Sequence, residues 1–313
     1  MAESAAIYDL PGNNPSDYVN DFARSILTKK INPVPALLDH KLVLRTALLQ
    51  HRFAQAETVA LIANGTAQLF PFADARRWLT PAELETWLVN DGGRFVVKPE
   101  SSSRAAGVAL IESANGGLVR RRGRQETPFH VEGSGGVRLI ERALIQEEFW
   151  RRLNPDSANS IRVLTMWTAG EPAAFVGASV QRIGTADTAP TDNWSGGGIC
   201  APVDLDTGRL GRGRMHPLKG KAAKSFYTHH PDTGTPIEGE ILPHWSDVKE
   251  TVLRACAALP LIRYAGWDVL VDESGRPVII EANHNSDVNL LQVHGGLLRR
   301  PEVRRFYESY NAI

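Results

Sequence analysis

Two short apolar runs near the C-terminus constrain the fold most, because together they predict a β-hairpin. Residues 267–271 and 278–281 are rich in Val and Ile, and the turn-forming residues 272–276 join them. Opposite side chains of a hairpin lie close across the ladder, so Asp268 and Glu281 are expected at the same edge of the sheet. Asn283 would lie on their face if the second strand continues by two residues.

This edge predicts a metal site built from oxygen ligands. Carboxylate and carboxamide oxygens suit Mg²⁺, which commonly keeps waters and phosphate oxygens as its other ligands. A site of this kind indicates a bound nucleotide. Spacing alone leaves an equal alternative, in which Asp268 and Glu281 are ordinary charges at strand ends.

The rest of the chain predicts an α+β protein. Residues 15–54 and 247–259 are expected to be helical, and Thr80 caps a further helix that should end near residue 92. Short apolar runs bounded by turn residues predict strands at residues 94–98, 107–111, 117–120, 143–147, 161–166 and 174–180. Residues 205–245, rich in Gly, Pro, Lys and His, are expected to form a long loop region.

Composition excludes several classes of partner. The 313 residues contain 35 Lys plus Arg and 35 Asp plus Glu, so no net field attracts nucleic acid or an anionic membrane. No apolar stretch approaches the roughly 20 residues of a membrane helix, and the sequence shows no secretory signal pattern. Cys200 and Cys256 are isolated, which is typical of free thiols. We therefore expect a cytoplasmic protein with no nucleic acid partner and no membrane span.

A second group of residues suits a phosphate. Lys98 ends an apolar strand, and the loop after it contains Ser101, Ser102 and Ser103 among other small residues. Such a loop can present backbone N–H and hydroxyl donors to phosphate oxygens. An ordinary hairpin turn is the alternative for the loop.

Two arginines further along the chain also suit an anionic ligand. Arg162 and Arg182 carry planar, permanently charged groups that bind phosphate or carboxylate oxygens. Asn193 precedes glycines 196–198, which would let the backbone approach such a ligand closely. A surface strand position is an equal alternative for Arg182.

These motifs, in this order, resemble the ATP-grasp superfamily. The phrase Gly266-Trp267-Asp268-Val269, followed by Val278-Ile279-Ile280-Glu281-Ala282-Asn283, is similar to the metal-binding end of that fold. Three further motifs narrow the resemblance to the sugar-transfer-associated ATP-grasp family: Asn159-Ser160-Ile161-Arg162, Asp192-Asn193 with its glycines, and His216-Pro217. The resemblance covers residues 35–295.

The resemblance implies an α+β ATP-grasp fold, in which two α+β subdomains clamp ATP after a helical N-terminal segment. The implied boundaries are 1–70 for the helical segment, 71–149 for the lid subdomain and 150–313 for the C-terminal metal-binding subdomain. It also implies the cofactors ATP and Mg²⁺, with two magnesium ions held by Asp268, Glu281 and Asn283.

The resemblance further assigns nucleotide-binding and catalytic residues. The implied nucleotide-binding residues are Lys41, Lys98, Ser101, Ser102, Ser103, Gln146, Glu147, Glu148 and Phe149. Among them, residues 144–149 resemble the hinge that contacts adenine, and either Glu147 or Glu148 would receive the ribose hydroxyls. Lys41 on its predicted helix is nearly as well explained as a solvated lysine. The implied catalytic residues are Arg162, Arg182 and Asn193.

The implied function is an ATP- and Mg²⁺-dependent carboxylate–amine ligase that forms an amide through an acylphosphate. Its partners would be a small-molecule carboxylate and an amine, with sugar-linked or amino-acid substrates as options. One alternative is an ATP-grasp kinase that phosphorylates a sugar or polyol hydroxyl. A second alternative is a nucleotide-binding module without catalysis.

The histidines and an arginine run remain outside these motifs. Adjacent His229 and His230 would point to opposite faces of a strand, which favours structural roles. His216 and His284 are better placed to contact a substrate. Residues 120–124, with four arginines, are expected to form a solvated hairpin, with docking of an anionic substrate or carrier as the alternative.

Overall fold

The computed structural model describes residues 7–8, 12–20, 22, 24, 30–70, 78–101, 107–114, 116–133, 135–217 and 226–313. The chain divides into two compact units. The small unit consists of Ala56–Ile145 with Ala189–Thr191, and the large unit of Met1–Gln55, Gln146–Thr188 and Asp192–Ile313. Each unit contains one antiparallel sheet with helices, which confirms the predicted α+β class. The predicted three-part division at residues 70 and 149 stays a prediction.

The small unit contains a seven-stranded sheet in the order β2-β1-β7-β3-β4-β5-β6. Its strands are β1 (Thr58–Ala63), β2 (Thr66–Leu69), β3 (Arg94–Pro99), β4 (Ala109–Ala114), β5 (Gly117–Arg122), β6 (Gln125–Phe129) and β7 (Arg138–Arg142). Leu84 and Leu88 from the helix between β2 and β3 pack on this sheet against Phe95 and Ile111.

The large unit also contains a seven-stranded sheet, in the order β12-β11-β10-β9-β8-β13-β14. Its strands are β8 (Ile161–Met166), β9 (Phe175–Ile183), β10 (Ile199–Pro202), β11 (Gly213–Met215), β12 (Phe226–Tyr227), β13 (Tyr264–Val271) and β14 (Pro277–Asn283). The α-helices whose bounds lie within the described residues are α1 (Ala36–Asp39), α2 (Lys41–Gln50), α3 (Pro81–Asp91), α4 (Glu148–Leu153), α5 (Trp245–Ala258), α6 (Asn289–Gln292) and α7 (Pro301–Ser309). Among the described residues, no helix has both the length and the apolar character needed to cross a membrane.

The two faces of the large sheet are covered by different parts of the chain. Val163 and Trp267 belong to a core that includes the apolar side of α5. Leu164 and Tyr264 belong to a second core, which includes Phe306 from α7 and residues near the N-terminus. Because successive strand residues alternate between faces, the even-numbered positions of β8 and β13 share this second face. Those positions include the charged residues of the candidate site.

Helix α3 starts where its sequence predicts. The Thr80 hydroxyl accepts a hydrogen bond from the Glu83 N–H at 3.2 Å, and the Glu83 carboxylate accepts one from the Thr80 N–H at 2.7 Å. The helix ends at Gly92, whose φ of 69° lies in the left-handed region that glycine adopts without strain. Reciprocal capping of this kind satisfies two donors that the first turn would leave exposed.

Thr80→Ala should lower the free energy of unfolding by about 1 kcal/mol, the usual contribution of such a cap. Chemical denaturation measures this loss. Thr86→Ala on the same helix is a suitable control, because the Thr86 hydroxyl bonds only to the Ala82 carbonyl within the helix. An equal loss in both variants would contradict a specific role for the cap.

The predicted N-terminal helical segment is wrong over residues 58–69. These residues form β1 and β2, joined by Asn64 and Gly65 with φ of 52° and 78°. An Asn-Gly pair between β-branched runs is a strong hairpin signal, because both turn positions need positive φ. Helix is present at α1 and α2. In the helix expected over residues 15–27, Pro15–Asp17 form a 3-10 helix and residues 18–20 are not helical, whereas residues 21, 23 and 25–27 lie outside the described part of the chain.

Two other expectations need correction. The strand predicted at residues 143–147 is absent: β7 ends at Arg142, and Gln146 forms only an isolated bridge with Asp272. The long loop expected at residues 205–245 instead includes β11 and β12, which extend the large sheet. Strands of two or three residues are too short to produce a readable alternation in the sequence.

Candidate active site in the large unit

The C-terminal hairpin places Asp268 and Glu281 opposite each other, as its pattern predicts. They are direct partners in the register of β13 and β14. Asn283 lies on the same face, because its side-chain amide donates a hydrogen bond to the Glu281 carboxylate at 3.2 Å. The three oxygen-bearing side chains are therefore brought together at one edge of the sheet.

Asp268 is buried between two arginines. Arg162 donates from Nε to Oδ1 at 2.5 Å and from Nη2 to Oδ2 at 2.8 Å, which is a bidentate pair. Arg182 donates from Nη1 to Oδ2 at 2.9 Å. Burial alone would raise the pKa of Asp268, but the two guanidinium groups outweigh it and hold the pKa well below the usual range. Asp268 is therefore a permanent carboxylate.

Glu281 has a different environment from Asp268. Burial and the neighbouring Asp268 carboxylate raise its pKa, while Lys41 opposes them. The Lys41 ammonium lies 3.9 Å from Glu281 Oε2, and its side chain is only 10% exposed. The solvated-lysine alternative for Lys41 is thus wrong, because α2 directs the side chain toward the hairpin. Beside it, His284 Nε2 lies 3.0 Å from the Asp39 carboxylate.

A second carboxylate, Asp192, fixes Arg182 from the other side. Arg182 Nη2 lies 2.6 Å from Asp192 Oδ1. The other oxygen of Asp192 accepts hydrogen bonds from the Ser160 N–H at 2.7 Å and the Ser160 hydroxyl at 2.5 Å. Asp192 belongs to the quoted Asp192-Asn193 motif, but no site role was predicted for it. The signal available in the sequence was charge balance, because two arginines on one buried face need a second carboxylate.

Asn193, which was predicted to be catalytic, starts a 3-10 helix at Trp194–Gly196. Its carbonyl oxygen accepts hydrogen bonds from the N–H groups of Gly196 and Gly198, both at 3.0 Å. A Cβ atom at Gly198 would lie 2.8 Å from the Asp192 carbonyl oxygen, so this glycine allows the turn to close. The turn holds Asp192 in place, and the catalytic role of Asn193 stays a prediction.

Gly266 makes room for Ser286, which lies beside Arg162. It lies two residues before Asp268 on the same face of β13, and a Cβ atom there would overlap Ser286 and approach Arg162 Cδ to 3.2 Å. Ser286 in turn lies 3.4 Å from Arg162 Nη1. The glycine of the Gly-Trp-Asp phrase is therefore explained by the close approach of Ser286, with Arg162 as a further near neighbour.

Asp192→Asn should destabilise the large unit by about 3 kcal/mol, because it removes one of the two counter-charges from a buried arginine cluster. Urea denaturation measures the change. Ser160→Ala is the matched control: it keeps the Arg182–Asp192 pair, removes one hydroxyl bond and should cost only about 1 kcal/mol. Equal losses would show that the charge of Asp192 is not what holds Arg182.

In the small unit, Lys98 pairs with an acidic residue that was not predicted. Lys98 Nζ lies 2.7 Å from Glu141 Oε2, and both residues are more than 90% buried. They come from the neighbouring strands β3 and β7. Ser101 follows at the described end of the loop, whereas Ser102 and Ser103 lie outside the described residues.

The sequence profile of the sugar-transfer associated ATP-grasp family matches residues 23–306, which is most of the chain. The protein belongs to this family. Family membership confirms the ATP-grasp fold inferred from the motifs. A search of curated proteins finds no matching relative.

Several solved structures of ATP-grasp enzymes match this chain at low similarity. The ligase PsnB, complexed with minimal precursor, is 13% identical with a TM-score of 0.42, over 84% of this chain and 57% of that one. D-alanine–D-alanine ligase from Bacillus anthracis is 14% identical with a TM-score of 0.38, over 79% and 57%. Biotin carboxylase from Campylobacter jejuni is 11% identical with a TM-score of 0.46, over 88% and 48%. The chain thus matches about half the length of each.

The hinge residues expected from the ATP-grasp resemblance are largely occupied by structural contacts. The Gln146 amide donates to the Ser157 carbonyl at 3.1 Å and accepts from the Asn159 N–H at 2.9 Å. Glu147 caps α4 by accepting from the Phe149 N–H at 2.7 Å, and Phe149 is buried in the core. Glu148 is exposed. The nucleotide contacts of these residues stay a prediction.

The oxygen ligands at the hairpin fit a magnesium ion. Asp268 accepts three hydrogen bonds from Arg162 and Arg182 and lies beside Glu281, so its carboxylate oxygens face the same place as those of Glu281. The Glu281 side chain is 32% exposed. Asn283 uses its NH₂ group toward Glu281, so its oxygen can serve as a ligand. No group of three His, Cys, Asp or Glu side chains that could hold a metal exists among the described residues, so an ion here would need oxygens from a ligand or water.

The structural role expected for His230 agrees with its contacts inside the protein. His230 is buried, lies 2.8 Å from the Gly184 carbonyl oxygen through Nε2, and accepts from the Asp232 N–H through Nδ1. His216 packs edge-on against Trp194. In the arginine run, Arg121 pairs with Glu112 and Glu126 within the sheet.

Proposed function

We propose that this protein is an ATP-dependent ligase that joins a carboxylate to an amine and uses Mg²⁺. The observation that carries the proposal is the arginine–carboxylate cluster of Arg162, Arg182 and Asp268 beside Glu281. It places two fixed positive charges next to a set of oxygen ligands. Such an arrangement suits the triphosphate of a nucleotide and the negative charge that develops during phosphoryl transfer.

In the first step of the proposed reaction, an oxygen of the substrate carboxylate attacks the γ-phosphorus of ATP. The bond from that phosphorus to ADP breaks, which leaves an acylphosphate. In the second step the amine nitrogen attacks the acyl carbon, the carbon–oxygen bond to phosphate breaks, and the nitrogen loses a proton to solvent. A neutral amine needs no dedicated base.

The arginines would stabilise charge in both steps. Arg182 is held by Asp268 on one side and Asp192 on the other, and Arg162 is held by a bidentate pair. Donors fixed before the reaction stabilise a developing charge without reorganising. A bound magnesium ion would neutralise phosphate charge in the same place, with Asp268, Glu281 and Asn283 as its ligands.

An isotope-transfer assay tests the proposal. The protein is incubated with MgATP and pools of ¹⁸O-labelled carboxylic acids, together with amino acids and amino sugars as amines. A ligase that acts through an acylphosphate transfers one ¹⁸O from acid to inorganic phosphate and forms an amide, both measurable by mass spectrometry. A stable phosphoester would instead identify a kinase, and ATP binding without ADP release would identify a non-catalytic module.

A further inference from the structure

Gln181 is a polar side chain on an apolar face of the large sheet. It is fully buried, and its direct partners in the register of the strands are Ile161 and Ala201. Both partners belong to the core that includes the apolar side of α5. A buried amide among apolar side chains lowers stability unless its polar atoms are hydrogen-bonded. The role of this glutamine therefore lies in the bonds that it makes.

Both polar atoms of the Gln181 amide are hydrogen-bonded. Oε1 accepts from the Trp150 indole N–H of α4 at 2.8 Å. Nε2 lies within hydrogen-bond distance of three carbonyl oxygens, those of Asn159 at 3.1 Å, Ser160 at 3.2 Å and Arg182 at 2.7 Å. The first two carbonyls directly precede β8, and the third lies near the end of β9. The amide thus joins α4, β8 and β9 at one point.

Ser160, one of the residues that the amide contacts, holds Arg182 at both its ends. The Ser160 carbonyl oxygen also accepts from the Arg182 N–H at 2.8 Å. The N–H and hydroxyl groups of the same serine donate to Asp192, whose carboxylate pairs with the Arg182 guanidinium. A shift of Ser160 would therefore move the backbone of Arg182 together with one of its counter-charges.

Arg182 has little tolerance for such a shift. Its guanidinium lies between two carboxylates, 2.9 Å from Asp268 Oδ2 and 2.6 Å from Asp192 Oδ1, and its side chain is only 13% exposed. Buried ion pairs offset their loss of hydration only when their geometry is good. A donor also stabilises developing charge most when it is held in place before the reaction. The backbone that carries Arg182 must therefore be fixed.

We propose that Gln181 is a positioning residue for Arg182. Its amide ties the entry of β8 to the end of β9, so that the Arg182 guanidinium reaches both of its carboxylates. A fully bonded polar network rigidifies the backbone segments that it joins, and an apolar residue of the same size lacks these bonds. The fixing of Arg182 does not depend on the reaction. Its effect on catalysis rests on the proposed function, in which Arg182 stabilises charge during phosphoryl transfer.

Gln181→Met tests the proposal, because it keeps the volume of the side chain and removes the amide. ADP release is measured at varied MgATP with the pooled acids and amines of the isotope-transfer assay. We expect kcat to fall at least tenfold while the KM for MgATP stays within twofold. The matched control is Gln292→Met, because Gln292 is also fully buried but bonds to Tyr8 and Val19. It should lose stability and keep kcat, and equal losses of kcat in both variants would overturn the proposal.

A second measurement does not need turnover. Exchange of the Arg182 guanidinium protons with water, followed by ¹⁵N NMR and assigned with Arg182→Lys, should be at least tenfold faster in Gln181→Met than in the native protein or Gln292→Met. Native exchange in Gln181→Met would contradict the positioning role. If Gln181→Met does not fold, Gln181→Asn, whose amide is one methylene shorter, should show the same changes, and native values there would also contradict it. Fast exchange in the Gln181 variant, with no ADP release by the native protein, would keep the role of Gln181 and remove the proposed ligase.

Discussion

Asp268→Asn is expected to abolish MgATP-dependent ADP release and to destabilise the large unit. Asparagine keeps the volume of the side chain but removes the charge that balances Arg162 and Arg182. Leaving a buried charge without its partner typically costs about 3–5 kcal/mol. Loss of a metal ligand and of the arginine geometry should lower the rate of ADP release at least about 100-fold. Urea denaturation and a coupled ADP assay measure the two effects.

Asp272→Asn is the control for Asp268→Asn, because it changes the same residue type in the same hairpin. The Asp272 carboxylate accepts hydrogen bonds from Ser274 and Arg276 and thereby fixes the turn. Its loss should cost roughly 1–2 kcal/mol and leave ADP release intact. If Asp268→Asn kept ADP release within twofold of the native rate, the assignment of Asp268 to the site would be wrong. If both variants lost activity equally, hairpin stability would explain the effect.

The second large effect is expected at Lys98 and Glu141. Replacing either residue alone by Met should destabilise the small unit by about 3 kcal/mol or more, because the other charge stays buried without a partner. The double replacement should recover much of this loss, since two apolar side chains fill a buried pocket without a desolvation penalty. Urea denaturation of the native protein, the two single variants and the double variant gives the coupling energy of the Lys98–Glu141 pair.

The MgATP affinities of the native protein, the two single variants and the double variant show whether Lys98 binds the nucleotide or only stabilises the small unit. If Lys98 contacts the nucleotide, as the ATP-grasp resemblance implies, Lys98→Met and the double variant should both bind MgATP at least tenfold more weakly. Stability would be restored in the double variant but affinity would not. Native affinity in a stable double variant would limit Lys98 to the ion pair with Glu141. Calorimetric titration with MgATP decides between the two results.

Structural elements that depend on residues close together in the sequence could be predicted. The hairpin around Asp268 and Glu281 and the capped start of α3 each rest on a few consecutive positions, and both were found. The strand of Arg162 was predicted with its bounds unchanged, because its apolar run is buried along its whole length. The Asn-Gly hairpin between β1 and β2 was equally local, but it was not predicted, because the resemblance implied a helical segment up to residue 70.

Partners that are distant in sequence could not be predicted. Arg162 and Asp268 are 106 residues apart, and neither sequence segment indicates that the two side chains form an ion pair. The roles of Asp192 and Glu141 follow only from the charges that they meet after folding. The hydrogen bonds of the hinge residues Gln146 and Glu147 to the Ser157 carbonyl and the Phe149 N–H were likewise not predicted, and the nucleotide contacts that the resemblance implies for these residues stay a prediction.

The glycine at position 266 limits which substitutions the site can accept. A side chain there would overlap Ser286 and approach Arg162 Cδ to 3.2 Å. Because Ser286 also lies 3.4 Å from Arg162 Nη1, its displacement would disturb the packing around the arginine. Gly266→Ala is therefore expected to be poorly tolerated alone, and Ser286→Gly is the second substitution that would make room for it.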